Sequence, residues 1–150
     1  MEDPRPRMQD ALKQAMIEKD AQRRDVLRMT MNAFKQVEID ERRELSAEDV
    51  ITILQREIKK RNDSIDEARK AGRQDVAETE EAELRMIEGF MPQQLTRDEI
   101  ATLVRDAIAE TGASSAKDMG KVMGVLMPKV KGRADGKLAN EVVRESLGNV

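Results

Sequence analysis

Apolar residues recur every three or four positions along this chain and nowhere alternate one by one between turn signals. That spacing predicts helices throughout and no sheet. A first helix is expected to start near Pro6, a residue tolerated in a first turn, with Met8, Leu12, Ala15 and Met16 on its buried side. The charged residues 18–25 predict a break or bend. A second helix should carry Leu27, Met31 and Phe34 in one row, with Val26, Thr30 and Val37 beside it. Ser46-Ala47-Glu48-Asp49 has the form of a capping box with Asp49 in place of the usual Glu, and opens the longest helix. Its stripe of Ala47, Ile51, Leu54, Ile58, Ile65 and Ala68 is interrupted only by Arg61, and Gly72 is the expected left-handed stop. Asp75 and Glu78 have the spacing to cap the next helix, whose buried face should be Val76, Leu84, Ile87 and Met91. The other face is acidic: Asp75, Glu78, Glu80, Glu81, Glu83 and Glu88 stand against Arg85 alone, a local charge of −5. It reads as a solvated face, or else as a surface that repels nucleic acid and orients the protein on it.

Gly89 to Leu95 reads as a hinge around Met91-Pro92, because the residue before a proline disfavours helix. A domain boundary placed there divides the chain into residues 1–92 and 93–150. Thr96-Arg97-Asp98-Glu99 is a second candidate box, opening a helix through Ile100, Leu103, Val104, Ala107 and Ile108 to Gly112. Ser114 or Ser115 should cap a helix bearing Met119, Val122, Met123, Leu126 and Met127, which Pro128 should kink or end. A last helix runs from about Asp135 through Leu138, Val142, Val143 and Leu147. The expected fold is therefore all-α, an N-terminal antiparallel long-helix domain followed by a small three-helix C-terminal domain.

Composition narrows the chemistry. The 150 residues are 39% hydrophobic and 38% charged, with two Phe, ten Met and neither Tyr nor Trp, so methionine is expected to fill irregular gaps in the core. The sequence has no Cys and no His, which removes thiolate nucleophiles, imidazole bases, disulfides and the usual zinc ligands. No enzyme activity, cofactor or metal is expected. No apolar stretch is long enough to span a bilayer, and Met1-Glu2-Asp3-Pro4 lacks a signal-peptide layout, so the expectation is a cytoplasmic protein without a membrane partner.

The most informative segment is 117–137. It holds Lys117, Lys121, Lys129, Lys131, Arg133 and Lys137 against Asp118 and Asp135, a charge of +4 in a chain of −3. A basic patch on an acidic molecule favours a polyanion in a defined orientation. Gly120 and Gly124 are four apart and share a helical face, where a neighbouring helix or a nucleic-acid backbone can approach closely. The stretch Lys131-Gly132-Arg133-Ala134-Asp135-Gly136-Lys137 leads into a helix start, where free N–H groups and the helix dipole favour an anion. The spacing is not that of a nucleotide-binding loop, and Asp135 is better read as an N-cap than as a catalytic or metal-binding carboxylate. Without Tyr, Trp or His, stacking on splayed bases has little to work with, so phosphate, 2′-hydroxyl and shape are the expected features of recognition, which suits structured RNA. The weaker run Lys59-Lys60-Arg61 lies on the long helix, where pairs such as Glu57–Arg61 suggest a solvated surface.

These residues resemble the GatB/YqeY family. The resemblance spans nearly the whole chain and is strongest in Met119-Gly120-Lys121-Val122-Met123-Gly124 with 126–136, in 56–61 with Asp63-Ser64, and in Lys70-Ala71-Gly72-Arg73. It implies a helical N-terminal domain joined to a three-helix tail, similar to the tail of the GatB component of the aspartyl/glutamyl-tRNA amidotransferase, which contacts the body of tRNA. By position, Lys117, Gly120, Lys121, Gly124, Lys129, Lys131, Gly132, Arg133, Gly136 and Lys137 would belong to the RNA-facing element. Implied partners are tRNA or a tRNA-like RNA and an amidotransferase or other translation component. A carbon–nitrogen ligase label with glutamine as amide donor would describe the larger relative, whose activating and glutaminase parts this chain lacks. An alternative reading is a protein–protein adaptor that docks on an amidotransferase or ribosomal partner through the Gly120/Gly124 face. Departures from the family pattern are slight, such as Met91 before Pro92 where Leu is common, and affect none of this.

Overall fold

The computed structural model describes residues 1–148, which form seven α-helices and one 3₁₀ turn with no strand among them. The helices are α1 (Arg5–Ile17), α2 (Ala21–Glu41), α3 (Ala47–Lys70), α4 (Gln74–Glu88), α5 (Arg97–Thr111), α6 (Met119–Val130) and α7 (Gly136–Gly148); the 3₁₀ turn is Ala116–Asp118. They fall into two compact units, Met1–Met91 and Pro92–Val150.

In the first unit α1 packs on α2, α3 on α4, and α2 on both α3 and α4. Met8, Leu27, Phe34, Ile51, Leu54 and Ile87 lie in one cluster that draws on all four helices, while Ile65, Ala68, Ala77 and Leu84 form a second between α3 and α4. The break between α1 and α2 is narrower than the charge run suggested. Only residues 18–20 leave the helix, with Lys19 at a φ of 58° and the Asp20 side chain accepting from the Arg23 N–H. Met16, expected inside, is exposed, since it falls where α1 ends. Thr30 is buried but not orphaned: its hydroxyl donates to the Val26 carbonyl one turn back.

The caps explain the boundaries. Ser46 accepts from the Asp49 N–H at 3.1 Å and the Asp49 carboxylate accepts from the Ser46 N–H at 2.9 Å, completing the box that opens α3. Arg43 adds two hydrogen bonds to the same carboxylate and, with the Ser46 donors, holds its pKa far below the usual aspartate range. Gly72, at a φ of 73°, ends the turn beyond α3. Asp75 does not cap α4. Arg73 occupies that position without a side-chain hydrogen bond, and Asp75 sits in the first turn, where its charge still suits the helix dipole.

The acidic helix is not a simple solvated face. Glu80, Glu81 and Glu83 are half-buried, and α4 turns Glu81 and Glu83 towards α3, where Arg61 meets Glu83 at 2.7 Å and Arg69 pairs with Glu81. Arg61, the interruption in the α3 stripe, thus stays within the interface by carrying its charge to a partner on α4. Glu57 meets Lys60 rather than Arg61.

In the second unit α5, α6 and α7 pack on one another around Ile100, Val104, Val122, Leu126, Val142 and Val143. Thr96 accepts from the Glu99 N–H to open α5, and Gly112, at a φ of 68°, closes it. Ser115 accepts from the Lys117 N–H and starts the 3₁₀ turn rather than α6 itself. Pro128 does not end α6, which continues to Val130. Its missing N–H removes one helical bond, the one to the Gly124 carbonyl, and the helix runs only two residues further.

Two outcomes are expected. Arg61→Ala and Glu83→Ala should each lower stability in urea unfolding by about 1–3 kcal/mol, because either strands a half-buried charge, whereas Arg61→Leu with Glu83→Leu should cost less than the two singles together. Folding favours the Asp49 carboxylate, so its contribution is complete above about pH 4, where an unfolded aspartate ionises, and is lost only as pH falls through the depressed folded value. Carboxyl titration by NMR should show Asp49 still ionised below about pH 3, and Arg43→Ala should move that titration upward.

Candidate functional site

Four rows run along α6. Val122, Leu126 and Val130, four residues apart, are fully buried against α5 and α7. The opposite row, Gly120, Gly124 and Pro128, is therefore turned outward, and all three are exposed. A Cβ built on Gly120 or Gly124 would have nothing within 4 Å, so among the described residues no neighbouring helix of the same unit explains these glycines. They form a low ridge on an open surface.

Lys121, Val125 and Lys129 flank the ridge on one side, and the two lysines, eight residues apart, lie about 12 Å from one another along the axis. Both are exposed. Each has an acidic neighbour: Lys121 is 4.0 Å from Asp118 and Lys129 is 3.5 Å from Glu110. Met119, Met123 and Met127 flank the other side, half-buried over the core. By composition these methionines read as core filler alone; their i, i+4, i+8 repeat beside the glycines is the signal that they also border the exposed row.

Asp118 organises the start of α6. Its carboxylate accepts from the Ser114 N–H at 3.0 Å, and that bond, with Lys121 nearby, keeps its pKa below the ordinary range. Lys117 is exposed in the 3₁₀ turn just before it.

Beyond α6 the chain turns sharply. Gly132 has a φ of 77°, which an L side chain adopts only with strain, and it is buried. Gly132 thus supplies the bend, with the exposed bases on either side of it. The N–H groups of Arg133 and Ala134 both donate to the Val130 carbonyl, at 2.8 and 3.0 Å, closing the end of α6. Lys131, Arg133 and Lys137 are exposed around this bend. Gly136 begins α7 with open space where a Cβ would stand. The anion site expected at this helix start is already partly filled, because Asp135 accepts from the Lys137 N–H at 3.1 Å, the N-cap role its position in the sequence suggests.

The residues preceding α5 touch this bend, which no local pattern signalled. Leu95 N–H donates to the Arg133 carbonyl at 2.7 Å, Gln94 Nε2 to the Gly132 carbonyl at 3.0 Å, and Arg133 Nε to the Gln93 carbonyl at 3.3 Å.

The charge division follows the units. The second holds nine Lys and Arg against eight Asp and Glu, a net +1, while the first holds 18 against 22, a net −4. Arg97 draws Glu141 and Glu145 of α7 into ion pairs, at 3.4 and 2.6 Å. Among the described residues no group of three or more acidic side chains could hold a metal ion, and no helix is long and apolar enough to cross a membrane.

A four-helix acidic unit followed by a three-helix unit with a glycine ridge and a lysine row defines a class of two-part helical proteins. The chain belongs to the YqeY-like family, whose pattern it matches over residues 5–147. It is similar to "Altered inheritance of mitochondria protein 41, mitochondrial" of Pyrenophora tritici-repentis (strain Pt-1C-BFP), at 31% identity over 148 residues that cover 95% of this chain and 80% of that protein.

The two kinds of glycine should respond oppositely. Gly124→Ala places a methyl in open space on a helix and should raise stability in thermal unfolding by about 0.5–1 kcal/mol, whereas Gly132→Ala meets a left-handed, buried backbone and should cost about 1–2 kcal/mol or more.

Proposed function

We propose that this protein is a non-catalytic binder of folded RNA, tRNA or a tRNA-like fold, acting through the 117–137 surface of its second unit as an accessory to a tRNA-dependent amidotransferase or another translation component. The observation that carries this reading is the exposure of all six bases of the segment beside a glycine ridge with nothing over it. Two of the acids of α4 are engaged by Arg61 and Arg69 within the first unit. An excess of exposed cations draws a polyanion, and the absence of bulk at Gly120 and Gly124 admits a sugar–phosphate backbone close to the helix. The likeness to the GatB tail of a tRNA-dependent amidotransferase supports the same ligand. The first unit, at −4, would be repelled by the polyanion, which orients the molecule.

The half-buried Met119, Met123 and Met127 beside the ridge favour a second reading, a protein adaptor whose partner lays an apolar helix against the Gly120/Gly124 face. Charge and shape separate the two. Replacing Lys131, Arg133 and Lys137 by Glu should weaken tRNA binding at least about tenfold and make its salt dependence shallower by about one unit of slope for each phosphate no longer neutralised. Gly120→Leu with Gly124→Leu should abolish capture of a protein partner and leave tRNA binding intact if the adaptor reading holds. Wild-type protein that binds no tRNA even at low salt ends the RNA reading.

A further inference from the structure

We propose that Gln93–Leu95 is a strap that holds the basic bend at 131–134 in its shape, and that Gln94 is the positioning residue through which Arg133 is aimed at a phosphate. This deepens the RNA reading and rests on it for its ligand. The strap itself is independent of any ligand.

Three consecutive residues of the segment before α5 each make one hydrogen bond to the bend. Leu95 N–H reaches the Arg133 carbonyl and Gln94 Nε2 the Gly132 carbonyl, so both carbonyls that the left-handed Gly132 turns away from α6 are satisfied by the strap. Gln94 Nε2 also donates to the Pro92 carbonyl at 3.0 Å, fixing the side chain's own position. Leu95 packs against the core of the unit, and Thr96 directly after it caps α5, so the strap is anchored to a rigid element. Within the bend, the Lys131 N–H goes to the Met127 carbonyl and the N–H groups of Arg133 and Ala134 both go to the Val130 carbonyl.

Arg133 is where positioning becomes recognition. Its Nε donates to the Gln93 carbonyl at 3.3 Å, which fixes the plane of the guanidinium while leaving its terminal nitrogens for an anion. A planar fork held in one orientation loses less freedom on binding a phosphate than a free side chain, and meets it with two parallel bonds. The neighbouring lysines are point charges and gain little from such placement.

The test uses the full-length chain with bulk tRNA as probe. Gln94→Ala removes both donors from an exposed position and adds no charge. Native-state exchange of the Leu95 amide should become about tenfold faster or more, with the Val104 and Leu126 amides unchanged. Affinity for tRNA should fall about three- to tenfold, the scale of one or two net hydrogen bonds, while its salt slope stays as in the wild type because every phosphate is still neutralised. Arg133→Lys should weaken binding in the wild-type background and much less in the Gln94→Ala background, since both changes release the same fork. Gln94→Glu, which sets a carboxylate against two carbonyls, should reproduce the loss.

Additive losses for Arg133→Lys and Gln94→Ala, or a faster Leu95 amide with unaltered affinity, overturn the positioning role. An unchanged Leu95 amide in both Gln94 variants overturns the strap. A wild-type protein that binds no tRNA overturns the RNA reading and with it the aiming of Arg133, while the amide exchange still decides the strap.

Discussion

Everything on the exposed side of α6 follows from which of its rows is buried. Val122, Leu126 and Val130 are held between α5 and α7, and with about 3.6 residues per turn that choice leaves no freedom for the other positions. Gly120, Gly124 and Pro128 must face out, the lysines must lie to one side and the methionines to the other. A helix with glycine on its exposed row is intrinsically weak, since each such residue loses more chain entropy than alanine would. Packing of the buried row therefore sustains a surface that local propensity disfavours, a pattern expected where a surface serves contact rather than stability.

Electrostatics divides the labour between the units. In the first, arginine side chains on α3 cross to glutamates on α4, so that part of the acidic charge is neutralised inside the unit. In the second, Arg97 takes up Glu141 and Glu145, while Lys121 and Lys129 meet their acids only at 3.5 Å or more. The net +1 of that unit understates its polarity, because part of its negative charge is occupied and much of its positive charge faces solvent.

Much of this was legible from local rules. Ser46 with Asp49, Thr96, Gly72, Gly112 and Asp135 each act through neighbours within three or four residues, which is the range a sequence reading can see. The apolar stripes of α3, α5 and α7 were visible for the same reason. What escaped depends on which faces meet. The intrahelical rule paired Arg61 with Glu57, but its partner lies 22 positions away on α4. The ties from Gln93 and Gln94 span 40 and 38 residues and leave no compositional mark. Asp75 misled because cap spacing was present while the chain reached α4 through Arg73. The open space over Gly120 and Gly124 decides between a neighbouring helix and a free surface, a choice that spacing alone leaves undecided.

Pro128 carries one more consequence. Lacking an N–H, it leaves the Gly124 carbonyl without the helical donor that would normally meet it four residues on, and Gly124 and Pro128 stand on the same outward row. A surface rich in cations thus includes a backbone acceptor without its usual helical donor. An ionised phosphate has no hydrogen to offer such an acceptor, whereas water and a sugar hydroxyl both do, so on the proposed RNA reading this proline would favour a ligand that carries hydroxyls beside its charge.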